Sequence, residues 1–242
     1  MSKVLRFFVM LHCVWILCWR SFAVAVYARF NKKNRKFTTE YLHKGGVSML
    51  KSVKATYKAT LSKSYKENEP KLKIFVSNHL SLYDLPLIVS ALPGNIRMVV
   101  KKEILKVPFL GKAAVASEQI IVDRKNKENN KNFYEVAAGK LKSGISVWGF
   151  PEGTRSRNGD LLPFKLGIFR LAQDLGAQII PVGVIGTNKI LAADNFLPHF
   201  NQDLELKVGD PIASDSFPAA DVQKLADLAR ERILGLTQPA SQ

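Results

Sequence analysis

A chain of 242 residues, 47% of them hydrophobic, has the material for one substantial core, so its net charge of +16 does not mark a disordered polyelectrolyte. The charge is unevenly placed: residues 1–66 hold 14 Lys and Arg against Glu40 alone, +13, while the remaining residues hold 22 bases and 19 acids, +3. Such a basic segment suits nucleic acid or an anionic membrane surface, and its apolar neighbours decide between them.

From Phe7 to Ala28 the only charged side chain is Arg20, set among Phe7, Phe8, Leu11, Trp15, Ile16, Leu17, Trp19 and Phe22. A nucleic-acid arm would mix its bases with polar residues. This segment puts apolar bulk beside Lys and Arg, as segments facing anionic headgroups do, so a lipid bilayer is the expected partner and nucleic acid is not. Cys13 and Cys18 lie five residues apart in the same stretch; on a helix they face different directions and cannot pair. Nothing points to a disulfide-rich secreted protein, and no metal-ligand spacing occurs. Lys3 and Arg6, the apolar run and Ala23-Val24-Ala25 imitate a signal peptide, but Arg20 interrupts the approach to that cleavage site and the segment is expected to be retained. About 20 apolar residues suffice to span a bilayer, and Arg20 near one end can snorkel, which leaves a spanning and an interfacial helix both open. Either way, Arg29, Lys32, Lys33, Arg35 and Lys36 place the following domain at the cytoplasmic face of the membrane.

Asn31–Lys36 reads as a basic hinge, and an amphipathic helix is expected around Thr38–Leu50, weakened by Gly45-Gly46. Val53, Ala55, Tyr57 and Ala59 alternate as in an exposed strand, yet Val47, Leu50, Val53 and Tyr57 also fit one helical face. Ser62–Pro70 is a polar loop. The chain is therefore divided into a membrane-associated region, 1–66, and a folded domain, 67–242. In the latter, strands are expected at Lys73–Ser77, Ile96–Val100, Gln119–Val122, Ile145–Phe150, Gln178–Ile185 and Glu205–Val208. Helices are expected at Leu85–Ala91, Asn129–Lys142, Lys165–Leu175 and Ala219–Leu236. Alternation of this kind implies an α/β layered domain with a mixed sheet.

Two polar clusters directly follow apolar strands, where α/β proteins place functional groups. In Asn78-His79-Leu80-Ser81-Leu82-Tyr83-Asp84, a tight turn brings a carboxylate to one imidazole nitrogen and frees the other to take a proton. The same spacing also fits an Asp helix cap beside an ordinary surface His. In Phe150-Pro151-Glu152-Gly153-Thr154-Arg155-Ser156, Gly153 lets backbone amides approach a ligand, Thr154 adds a hydroxyl and Arg155 offers a bidentate grip on phosphate. Its bland counterpart is a Pro-Gly turn ending a strand. Other chemistries are excluded: Gly144-Ile145-Ser146-Val147-Trp148 lacks the second glycine of a nucleophile elbow, and neither a phosphate-cradling Gly-Lys-Ser/Thr loop nor a dinucleotide fingerprint is present.

Taken in order, these residues resemble the glycerolipid acyltransferase superfamily, specifically the bacterial 1-acylglycerol-3-phosphate acyltransferases. The His-x4-Asp motif falls on His79 and Asp84. A Lys-x-Glu-Leu-like block matches Lys101-Lys102-Glu103-Ile104 through Pro108 and Gly111, with Ile104 for the usual Leu. Further blocks match Ile120-Ile121-Val122-Asp123-Arg124, then Glu152 to Arg155 with Leu162-Pro163-Phe164-Lys165 and Gly167, then Ile179-Ile180-Pro181-Val182. The resemblance implies transfer of an acyl chain from acyl-CoA or acyl-carrier protein to the sn-2 hydroxyl of a lysophospholipid acceptor, 1-acylglycerol-3-phosphate, giving phosphatidic acid with no cofactor and no metal. It implies His79 as base, Asp84 as its partner, Arg155 and Lys101 with Arg124 on the acceptor phosphate, and Glu152 ordering the Gly153-Thr154-Arg155 loop. The same chemistry on glycerol-3-phosphate or a lyso-aminolipid shares these motifs. A non-catalytic basic membrane-binding protein built on the same fold is the rival from another class.

Overall fold

The computed structural model describes residues 2–30, 34–67, 69, 71–92, 94–123 and 130–238. It opens with a helix of 28 residues, α1 (Lys3–Phe30), about 42 Å long, followed by α2 (Arg35–Ser52). Asn34 starts α2 by accepting the Phe37 N–H on its side-chain oxygen at 3.0 Å. Gly45 and Gly46 do not end this helix. A Cβ on Gly46 would lie 2.6 Å from both Ser90 Oγ and Val89 Cγ2, and one on Gly45 would lie 3.1 Å from Arg20 Cδ. The glycines are contact points with neighbouring elements. The helix stops at Ser52 and a strand, β1 (Thr56–Leu61), begins four residues later, so each of the two sequence patterns over residues 47–59 holds for part of the stretch.

Then follow β2 (Lys73–Ser77), α3 (Asp84–Ala91), β3 (Ile96–Lys101), a 3-10 turn (Lys102–Lys106), α4 (Leu110–Ala116), β4 (Ile120–Val122), α5 (Asn130–Lys142) and β5 (Ser146–Gly149). The chain continues through α6 (Gly167–Leu175), β6 (Gln178–Ile185), a single turn α7 (Thr187–Ile190), β7 (Asp203–Val208), β8 (Ile212–Ala213) and α8 (Val222–Thr237). Each expected strand and helix is present within a few residues; α4, α7 and β8 were not anticipated, being too short to show a period.

The sheet runs β1-β7-β6-β2-β5-β3-β4, with β8 pairing β6 beyond β7. β6, β2, β5, β3 and β4 are parallel neighbours, β7 and β8 are antiparallel to β6, and β1 is parallel to β7: a mixed sheet. β1 precedes residue 66 yet hydrogen-bonds along its length to β7, so the sheet extends across that position. The central strands β2 and β6 are buried on both faces, which is why they read as unbroken apolar runs. Strand pleating sends Ile74, Val76, Val147 and Ile179 to one face, under α5, α6 and α8. Phe75, Trp148, Ile180 and Val182 go to the other face, under the end of α2 and α3. The parallel strands all finish at one edge, and the polar clusters emerge there.

α1 packs on α2 and α4 but leaves most of its apolar surface uncovered: Phe8, Val14, Trp15 and Trp19 are among its exposed side chains. By length and composition it is apolar enough to cross a membrane. Arg20 is drawn off that surface, its guanidinium donating to Ser48 Oγ at 3.2 Å and lying over the Tyr41 ring.

Candidate active site

The chain leaves β2 through Asn78, whose side chain continues the strand pairing. Its Nδ2 donates to the Val184 carbonyl and its Oδ1 accepts the Val184 N–H, both at 2.8 Å, so the exit stays pinned to β6. His79 comes next. Its Nδ1 lies 2.7 Å from Asp84 Oδ2. The same oxygen accepts the N–H groups of Leu80 and Ser81 at 2.8 and 3.0 Å, while Oδ1 accepts the Thr187 hydroxyl. Asp84 is fully buried, and its carboxylate is held by four donors, three of them on Oδ2 and one on Oδ1. Since none of them is an amide of α3, the carboxylate serves the turn and the imidazole, not the helix. An acceptor facing Nδ1 fixes the proton there and leaves the lone pair on Nε2. The ring stacks on Phe150 at 4.0 Å between centroids and 17° between planes, and its side chain keeps 23% of its exposure, enough to meet a substrate.

The second cluster is fastened to the first through main-chain atoms of His79. The His79 N–H donates to Glu152 Oε1 at 2.7 Å, and the Ser156 N–H donates to the His79 carbonyl at 2.8 Å. Glu152 Oε2 accepts the Leu162 N–H at 3.0 Å, tying in the next loop. Burial pushes the Glu152 carboxyl above its ordinary range, against these two N–H groups, which pull it down. Gly153 sits at φ +73°, a backbone conformation that favours glycine, with the Lys165 side chain lying over it. Thr154 is exposed. Arg155 is half-buried, between two residues bound to His79, and among the described residues it has no hydrogen-bond or ion-pair partner. Its guanidinium is available to an anion.

Lys101 ends β3, exposed and also without a partner among the described residues; β5 lies between its strand and β2. The structure thus brings His79, Asp84, Glu152, Gly153, Thr154 and Arg155 into one cluster and places Lys101 at the same sheet edge, two strands away. Arg124 lies outside the described residues. Sequence reasoning missed Thr187, the buried donor to Asp84, and assigned no role to Asn78. Gly186-Thr187 directly follows β6 just as Asn78-His79 follows β2, but the adjacency of these strands is not visible in a single chain. Among the described residues no three His, Cys, Asp or Glu side chains gather as metal ligands would. The arrangement can take a proton from a hydroxyl held near a cation.

A family model described as Acyltransferase matches residues 61–185. A 1-acyl-sn-glycerol-3-phosphate acyltransferase of Haemophilus influenzae is 29% identical over 245 residues, covering 98% of both chains. The human 1-acyl-sn-glycerol-3-phosphate acyltransferase alpha is 33% identical over 162 residues, 66% of this chain and 57% of the human one. The chain thus spans little more than half the length of that relative. A crystal structure of the 1-acyl-sn-glycerophosphate acyltransferase from Thermotoga maritima has the same fold, with a TM-score of 0.75 at 22% identity over 99% of this chain and all of that one. The family match runs from the last residue of β1 to the last of β6 and takes in both polar clusters, so the chain belongs to the acyltransferase family.

Proposed function

We propose that this protein moves a fatty acyl group from a thioester, acyl-CoA or acyl-carrier protein, to the sn-2 hydroxyl of 1-acylglycerol-3-phosphate, forming phosphatidic acid. The observation that carries the reading is the His79–Asp84 contact: a partly exposed imidazole whose Nδ1 is held by a fully buried, hydrogen-bonded carboxylate. Nε2 takes the proton of the acceptor hydroxyl as that oxygen attacks the thioester carbonyl. Collapse of the tetrahedral intermediate breaks the C–S bond, and the imidazolium returns its proton to the leaving thiolate. Asp84 stabilises the charged imidazole meanwhile, as in the His–Asp part of a hydrolase triad, and the acceptor hydroxyl replaces the serine. Arg155 grips the acceptor phosphate and Lys101 adds charge from the neighbouring strand end. The names of the relatives support this acceptor.

The exposed apolar face of α1 supports a membrane-associated protein, and the bases that follow it favour the cytoplasmic face. His79→Ala is the test. Acyl transfer from acyl-CoA to 1-acylglycerol-3-phosphate should fall by about 10²–10⁴-fold, with circular dichroism and vesicle binding unchanged. Near-normal turnover would remove His79 from the chemistry. Glycerol-3-phosphate and a lyso-aminolipid, offered to the same preparation, decide the acceptor.

A further inference from the structure

The crossover from β3 to β4 exposes apolar side chains that neither the sheet nor the proposed chemistry uses. Leu105, Val107, Phe109 and Val115 are 49, 44, 48 and 60% exposed. Gly111, Ala113 and Ala114 are buried instead, a Cβ on Gly111 would lie 2.7 Å from the Leu105 main chain, and α4 packs against α1. Phe109 holds a positive φ of 61°, which a bulky residue adopts only when its surroundings impose it. Its ring meets Phe22 of α1 edge-on at 5.6 Å between centroids, so the uncovered apolar face of α1 continues onto the crossover. Lys106 and Lys112 are exposed beside these side chains and have no ion-pair partner among the described residues. A contiguous apolar patch with free ammonium groups at its margin matches an anionic bilayer, acyl chains taking the one and headgroups the other.

Resting on the membrane reading above, we propose that residues 102–115 form a second membrane-contacting element, a lip that enters the bilayer surface beside α1. The lip begins at the C-terminal end of β3, on the sheet edge where His79 stands. Lys101 is its root. An acceptor phosphate at headgroup depth then meets Lys101 and Arg155 while the acyl chain of the acceptor stays in lipid.

The test compares the double variant Leu105→Gln/Val115→Gln with Phe8→Gln/Trp15→Gln on α1, in the full chain. Co-sedimentation with phosphatidylcholine–phosphatidylglycerol vesicles is read beside turnover of a long-chain acceptor in vesicles and a short-chain acceptor in solution. The lip variant should bind vesicles about tenfold more weakly and lose a similar factor on the vesicle acceptor, with the soluble acceptor unaffected. Unchanged vesicle binding in the lip variant, with binding lost in the α1 variant, overturns the lip alone. Unchanged binding in both overturns the membrane reading as well. Equal loss on both acceptors makes the segment a structural part of the site and overturns the lip. So does a wild-type dimer that the lip variant converts to a monomer with vesicle binding intact, which assigns the face to a second copy of the chain.

Discussion

At the scale of single residues, the site depends on carboxylates that make no contact with substrate in the proposed chemistry. Glu152 holds two N–H groups, one from His79 and one from Leu162, and so ties the Arg155 loop to the His79–Asp84 turn. Glu152→Gln replaces one of its two acceptor oxygens by an NH2 group, which must face one of those N–H donors. A lost hydrogen bond to a charged group is worth roughly 1.5–3 kcal/mol, so kcat/KM for the lysophosphatidic acceptor should fall by about 10–100-fold with the fold retained. Equal kcat/KM in wild type and variant would show that the loop needs no such tie. His79 and Asp84 were legible because they lie in one turn, five residues apart. Thr187, 103 residues from Asp84, was not: its hydroxyl reaches Asp84 only because β6 lies beside β2.

At the scale of elements, α2 shows how a helix accommodates residues that disfavour it. Gly46 abuts α3, where a Cβ would lie 2.7 Å from the Pro86 carbonyl oxygen, a backbone atom that cannot swing aside. Gly46→Ala gains about 1 kcal/mol of helix propensity. Overpacking at such a contact costs about 1–3 kcal/mol, and the rigid carbonyl puts this site toward the upper end. The net expectation is a loss of about 1–2 kcal/mol and a fall of roughly 2–8 °C in Tm, measured by thermal melting in detergent. A variant as stable as wild type would mean that α2 shifts freely on α3. In the sequence, Gly45-Gly46 reads only as a weakness of the helix, because a close approach between helices leaves no local mark.

At the scale of the molecule, Glu118 joins the N-terminal helices to the sheet domain. It follows α4, is buried, and accepts from Arg35 at the start of α2 through Nε at 2.8 Å and a second guanidinium nitrogen at 3.3 Å, and from Lys140 of α5 at 2.8 Å. Burial alone would raise its pKa, but the Arg35 and Lys140 hydrogen bonds prevail and hold the carboxyl at about 2. Because the folded value lies below the ordinary one, the contribution to stability is present above about pH 4.5 and is lost as pH falls toward 2. Glu118→Gln should therefore be less stable at pH 7 by roughly 1.5–3 kcal/mol, and the gap to wild type should close between about pH 4.5 and 2. Denaturation at a series of pH values checks both. A gap that stays constant with pH would mean that the carboxylate charge contributes nothing to the junction.

The sequence by itself determined the longer strands and helices of the sheet domain, the two polar clusters and the apolar, basic character of the N-terminus. Each of these is local: a period of apolar residues, a motif within one turn, a run of bases beside apolar bulk. Tertiary structure alone decided that β1 belongs to the sheet across residue 66, that the Glu152 loop is fastened to the main chain of His79, and that α1 shares its apolar surface with the β3–β4 crossover. These contacts join positions tens to more than a hundred residues apart. The order of strands and the packing of helices on them bring such positions together, and no periodicity within one segment of the chain encodes that order.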